Sequence, residues 1–93
     1  MSVITKIGIV GAGNMGSGIA QKAAQAGLSV LLSDLNKEAA MRGFSNIRGT
    51  LNGAVKRAIF TEKQVEKILR RIEVTADLKD FSDCDMVIEA VFE

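Results

Sequence analysis

The chain has 93 residues, 12 of them Lys or Arg and 11 Asp or Glu, with 47% apolar residues and a formal net charge of +1. That length bounds it to one small domain burying roughly 60–65% of its unfolded surface. The even charge balance argues against a nucleic-acid or membrane surface, and no apolar run approaches the ~20 residues of a membrane span.

The N-terminus enters a strand almost at once and lacks the basic-then-apolar layout of a secretion signal. Cys84 is the only cysteine, so no internal disulfide forms, and a reducing, cytoplasmic setting is expected. Ile7, Ile9 and Val10 read as a short buried strand. Gly11-Ala12-Gly13-Asn14-Met15-Gly16 follows and spells G-x-G-x-x-G where a strand should turn into a helix. The spacing has a physical reading. Gly11 permits the tight turn, Gly13 lets a pyrophosphate approach the backbone, and Gly16 lets the helix lie close to the strand. The free N–H groups and positive dipole end of that helix then face the phosphates.

The helix is expected from Asn14 to Ala26, with an apolar stripe of Met15, Ile19, Ala23 and Ala26 beside a small-residue face of Gly16, Ala20 and Ala24. Met15 reads as a packing residue. Gly27 is a natural C-cap. A second strand, Ser29 to Asp34, ends in an acid placed 18 residues beyond Gly16, near the ~20-residue offset of a ribose-binding carboxylate. Asp34 would accept hydrogen bonds from the ribose hydroxyls and repel a 2′-phosphate, which favours NAD over NADP.

A long helical pattern then runs from Lys37 to Ala58, on Ala40, Phe44, Ile47, Leu51 and Val55. Gly43, Gly49 and Gly53 weaken it by up to about 1 kcal/mol each relative to Ala. Thr61-Glu62-Lys63-Gln64 fits a capping box, with Phe60 and Val65 as a hydrophobic staple. The two helices form a hairpin inserted before a short third strand, Ile72 to Thr75. The basic pair Arg70-Arg71 reads as surface near a helix C-terminus. Asp77 caps a single helical turn through Leu78 and Phe81. The fourth strand, Asp85 to Phe92, is apolar on both faces, as in a central parallel strand. Its Glu89 is either turned into a cofactor crevice or a paired core acid. Cys84 reads as a packing residue.

The fold class is therefore α/β, a Rossmann-like parallel sheet in the order 3-2-1-4. Residues 1–93 read as the first half of a doubly wound fold with an inserted helical hairpin, without a C-terminal helical domain. The apolar edge of the fourth strand then invites a homodimer or strand exchange. The chain has no histidine, the usual acid/base of a dehydrogenase, and no convincing metal-ligand cluster. It reads as a binding unit with no catalytic residues of its own.

Val10 to Gln21 closely resembles the opening of the 3-hydroxyacyl-CoA dehydrogenases of fatty-acid β-oxidation. The same resemblance extends to Asp34-Leu35-Asn36, the hairpin ending in Leu69-Arg70-Arg71-Ile72, and Asp83 to Glu93. It implies NAD as cofactor and an acyl-CoA substrate for the full-length protein. Gly11, Ala12, Gly13, Asn14, Met15 and Gly16 resemble the pyrophosphate turn, Asp34 the adenosine-ribose acid, and Glu93 the acid near the nicotinamide half. Thr50 and Arg57 fall where relatives contact the CoA portion, although relatives often carry Ser and Lys there. The family's catalytic Ser, His, Glu and Asn come later in its pattern. Two alternatives stay open: a cofactor domain like those of the hydroxyisobutyrate and 6-phosphogluconate dehydrogenases, which share a Gly-x-Gly-x-Met-Gly turn, and a half-fold scaffold without function.

Overall fold

The computed structural model describes residues 3–90. Four strands form one sheet: β1 (Lys6–Val10), β2 (Ser29–Ser33), β3 (Ile72–Thr75) and β4 (Met86–Glu89). All three pairings are parallel, and the order is β3-β2-β1-β4, as the crossover pattern predicts. The connections carry α1 (Asn14–Gln25), α2 (Lys37–Lys56), α3 (Glu62–Arg70) and a 3₁₀ helix (Leu78–Asp83). Among the described residues no helix is long and apolar enough to cross a membrane.

Register decides which side chains meet the helices. Ile7 lies opposite Val30, and Val30 opposite Ile72; Ile9 lies opposite Leu32. These residues join Ala20 and Ala24 of α1, Ile47 and Leu51 of α2, and Val65 and Ile68 of α3 in one buried cluster. On the alternate positions Gly8 lies beside Leu31. A Cβ at Gly8 would stand 2.5 Å from the Phe81 ring, so the bare strand position makes room for the 3₁₀ helix.

The apolar stripe expected on α1 is corrected in one respect. The helix buries Gly16, Ser17, Ala20 and Ala24, whereas Met15 is 53% exposed. Ile19 and Ala23 only flank the core. The cause is close approach: a Cβ at Gly16 would collide with the Gly11 carbonyl oxygen. Only the small-residue face fits against the strand, and the long Met15 side chain is turned away. The helix closes on Gly27, whose N–H bonds the Ala24 carbonyl while the Leu28 N–H bonds that of Ala23.

Helices α2 and α3 begin on side-chain caps. Asn36 Oδ1 accepts from the Ala39 N–H at 2.8 Å, and Thr61 with Gln64 forms the expected capping box. Phe60 and Val65 both pack in or against the core. The C-terminal end of α2 is less ordinary. Ala58 has φ of 58°, and the bonds Ala58 N–H to Val55 O and Ile59 N–H to Ala54 O repeat the pattern at Gly27 with an alanine in the glycine position. Arg71, read from sequence as a surface cation, reaches instead across to α1 and donates from Nη1 to the Ala24 carbonyl at 2.7 Å.

Among the described residues β4 covers Met86–Glu89 of the expected Asp85 to Phe92 and pairs with β1 alone, and Met86 and Val87 are 45% and 49% exposed. Residues 91–93 lie outside the described residues. Asp85 leaves the strand to act as a clamp. Its Oδ2 accepts from the N–H groups of Thr5 and Lys6 at 2.9 and 3.0 Å and from the Thr5 hydroxyl at 3.2 Å. The Thr5 N–H, then that of Lys6, holds the Asp85 carboxyl below its ordinary range.

Candidate functional site

At the carboxyl end of β1 the chain turns on Gly11, whose φ of 111° is open to glycine and costly for other residues. Its N–H bonds the Ser33 carbonyl at 2.8 Å, which ties the turn to the end of β2. The next two glycines have different reasons. Gly16 is demanded by the Gly11 carbonyl against it. Gly13 is the N-cap of α1, and a Cβ placed there would meet nothing within 4 Å. The backbone at Gly13 therefore faces open space. Unlike α2 and α3, α1 has no side-chain cap and no acid in its first turn. Its first N–H groups and the positive end of its dipole are left for an anion.

Asp34 stands directly after β2 and points back at this turn. Its Oδ2 accepts from the Ala12 N–H at 2.8 Å and its Oδ1 from the Leu35 N–H at 2.7 Å. A carboxylate has about four lone-pair positions, so each oxygen keeps capacity for a hydroxyl donor. A cavity of about 470 Å³ opens beside it, lined by Gly11, Gly13, Asp34, Leu35, Ala76 and Leu78 among others. Leu35 and Leu78 are 95% and 64% exposed, so two apolar side chains flank the entrance. The arrangement offers a diphosphate site, an acceptor for a vicinal diol, and apolar walls for a flat ring.

The other residues singled out from sequence separate into groups. Ala12 and Asn14 line smaller clefts on the α2 side of the turn. Met15 is exposed and lines none of these cavities. Thr50 shares a cleft of about 140 Å³ with Asn14, Gln21 and Asn46, and its hydroxyl donates to the Asn46 carbonyl at 3.0 Å. Arg57 is the exposed C-cap of α2, outside that cleft. Glu89 is exposed rather than a core acid, and does not line the cavity beside Asp34. Glu93 lies outside the described residues. Cys84 sits half-buried near Gly8, and burial raises its thiol above the ordinary range.

Two residues that shape the site escaped the sequence reading. Gly43 of α2 lies so close to the turn that a Cβ would stand 2.6 Å from the Ala12 oxygen and 2.9 Å from Ser17 Oγ. Buried Ser17 donates its hydroxyl to that same Ala12 oxygen at 2.9 Å. The helix following β2 thus braces the glycine turn from behind. A glycine inside an amphipathic pattern was the available signal.

A parallel α/β sheet with a bare glycine turn at the end of β1, an uncapped helix start, and an acid after β2 defines a dinucleotide-binding domain. The chain belongs to the family described as 3-hydroxyacyl-CoA dehydrogenase, NAD binding domain, which matches residues 6–93. It is 42% identical over 92 residues to a 3-hydroxybutyryl-CoA dehydrogenase of Bradyrhizobium diazoefficiens, covering 99% of this chain and 31% of that protein. It is 40% identical over 90 residues to a peroxisomal fatty acid beta-oxidation multifunctional protein of Oryza sativa, covering 97% of this chain and 12% of that one. The crystal structure of (S)-3-hydroxybutyryl-CoA dehydrogenase from Ralstonia eutropha superposes with a TM-score of 0.94 at 37% identity, over 98% of this chain and 32% of that one. The chain thus spans about a third of the length of the first and last of these relatives. The family match sets aside the hydroxyisobutyrate and 6-phosphogluconate dehydrogenase alternative.

Proposed function

We propose that this chain is the part of a 3-hydroxyacyl-CoA dehydrogenase that holds NAD while a 3-hydroxyacyl-CoA is oxidised to the 3-oxoacyl-CoA in β-oxidation. The observation that carries the reading is Asp34, fastened to the Ala12 N–H at 2.8 Å on the wall of the cavity at the glycine turn. One carboxylate thereby fixes the diphosphate turn and faces the ribose position. NAD supplies the hydride acceptor when bound. The N–H groups of Asn14, Met15 and Gly16 at the start of α1 hold its diphosphate. The free lone pairs of Asp34 accept from the adenosine-ribose hydroxyls, and Leu35 and Leu78 flank the adenine. Glu93 is assigned to the nicotinamide side by family resemblance.

The acyl-CoA is assigned to α2 of the inserted hairpin, with Thr50 and Arg57 as contacts. The 93 residues contain no histidine, and the chain by itself is proposed to bind without turnover, in the cytoplasm. The half-bare β4, with Met86 and Val87 exposed, is proposed to pair with a second copy of the chain. A sedimentation mass that stays monomeric up to high concentration refutes that pairing.

Calorimetric titration with NAD tests the central reading. Saturable binding that disappears in Asp34→Ala supports it, and a flat titration of the wild-type chain refutes it in favour of a scaffold. Clear oxidation of NADH with acetoacetyl-CoA by this chain alone refutes the assignment of a binding role without chemistry.

A further inference from the structure

Asp34 does not border one cavity but two. The second, of about 330 Å³, lies on its α2 side and shares Gly13 and Asp34 with the first; Arg42 and Ser45 complete its polar lining together with Asn46. Positions 39, 42, 45 and 46 recur at three and four, so one face of α2 supplies this wall. A ribose held on Asp34 would sit on the partition between the cavities. Its adenine side faces the apolar walls of Leu35 and Leu78. Its hydroxyl side would be turned toward the wall that Arg42 and Ser45 line.

We propose that the α2-side cavity is a latent 2′-phosphate subsite, with Arg42 and Ser45 as its ligands, and that Asp34 alone closes it to NADP. The inference rests on the NAD reading and extends it to the choice between the two nicotinamide cofactors. A phosphate monoester is a near-dianion that favours a forked guanidinium donor beside a hydroxyl donor. With Asp34 set aside, the other charges lining the two cavities that Arg42 borders offset each other. Lys37 and Glu38 line the adjoining groove with Arg42 and Ser45 and carry opposite signs. That leaves the Asp34 carboxylate as the opposing charge on the wall of the subsite itself. Its oxygens only accept, so a dianion there meets repulsion and no donor. Asp34→Asn removes the charge and retains one oxygen for the Ala12 N–H, giving up the acceptor that holds the Leu35 N–H. The tie to the glycine turn is thereby kept while the barrier is lifted.

The test is calorimetric titration of the wild type, Asp34→Asn and Asp34→Asn/Arg42→Ala with NAD, NADP and adenosine 2′,5′-bisphosphate. Asp34→Asn is expected to gain about ten- to a hundredfold in affinity for NADP and the bisphosphate, the range of one charge-assisted hydrogen bond. Adding Arg42→Ala is expected to remove that gain. Circular dichroism of each variant verifies that it is folded. If Asp34→Asn binds NAD but gains nothing for NADP, or if the gain survives the loss of Arg42, the subsite is refuted and the NAD reading stands. If the wild type ignores NAD, the NAD reading falls. In that case Arg42-dependent binding of the bisphosphate to Asp34→Asn still supports the subsite, and its absence overturns it.

Discussion

Three glycines of α2 provide a test in which the same substitution should change sign along one helix. Gly→Ala in a helix interior gains about 0.8–1.0 kcal/mol from propensity alone. At Gly49 and Gly53 an added Cβ meets nothing within 4 Å, so the gain should appear in full. Each variant should melt about 4–8 °C higher, the usual response of a domain this size to about 1 kcal/mol. At Gly43 the new Cβ would stand 2.6 Å from the Ala12 oxygen and 2.7 Å from Ala12 Cβ. Neither atom belongs to a flexible side chain. Ala12 is held on its other side by Asp34 through a 2.8 Å bond, so relief means moving the turn. Overpacking of this kind costs about 1–3 kcal/mol, which cancels the propensity gain at its lower end and leaves a net loss of up to about 2 kcal/mol at its upper end. Thermal unfolding followed at 222 nm measures all three. NAD titration of Gly43→Ala should show weakened binding, because a displaced Ala12 N–H no longer orients Asp34. A Gly43→Ala chain that melts at or above the wild type with undiminished NAD affinity would refute the bracing of the turn by α2.

Ala58 occupies a left-handed position, with φ of 58°. Ala58→Gly should therefore raise stability by about 1 kcal/mol, and a urea midpoint no higher than the wild type's would contradict the geometry. Arg71→Ala should cost about 1 kcal/mol, since the Ala24 carbonyl loses the guanidinium and keeps the Gly27 N–H; an unchanged melt would return Arg71 to the solvated surface. The Asp85 carboxyl is held below its ordinary value by the Thr5 and Lys6 N–H groups. Its contribution is then fully present above the unfolded value, about 3.9, and is lost as pH falls through the lower folded value. Asp85→Asn should lower stability at neutral pH and flatten the acid limb of the stability curve, and identical acid limbs for the two proteins would eliminate the clamp.

Much of the fold was legible because its signals are local. The capping box at Thr61, the glycine C-cap at Gly27 and the strand-turn-helix at Val10 to Gly16 each declare themselves within a few residues. The sheet order follows from the handedness of the crossovers. What stayed hidden depends on what lies across a gap. Gly43 reads as a weak point in a helix until Ala12 is seen behind it. Arg71 reads as a solvated cation until the end of α1 arrives beside it. Met15 fits the helical period, but the period alone does not choose between a large-residue stripe and the small-residue face that close packing requires. In the candidate site, the position of Asp34 could be read from spacing. Its attachment to the Ala12 N–H, 22 residues back, is a tertiary event with no local signature.

The Asp85 clamp joins groups 80 residues apart in the chain. Contacts of such long separation carry a large loop-closure cost and slow folding. On a ribosome, β1 emerges well before β4, and one of its two flanks stays bare until β4 has also left the exit tunnel. Synthesis therefore delivers an interior strand long before it delivers that strand's neighbour, and the nascent chain presents a sticky ribbon that chaperones or early α1 docking must cover.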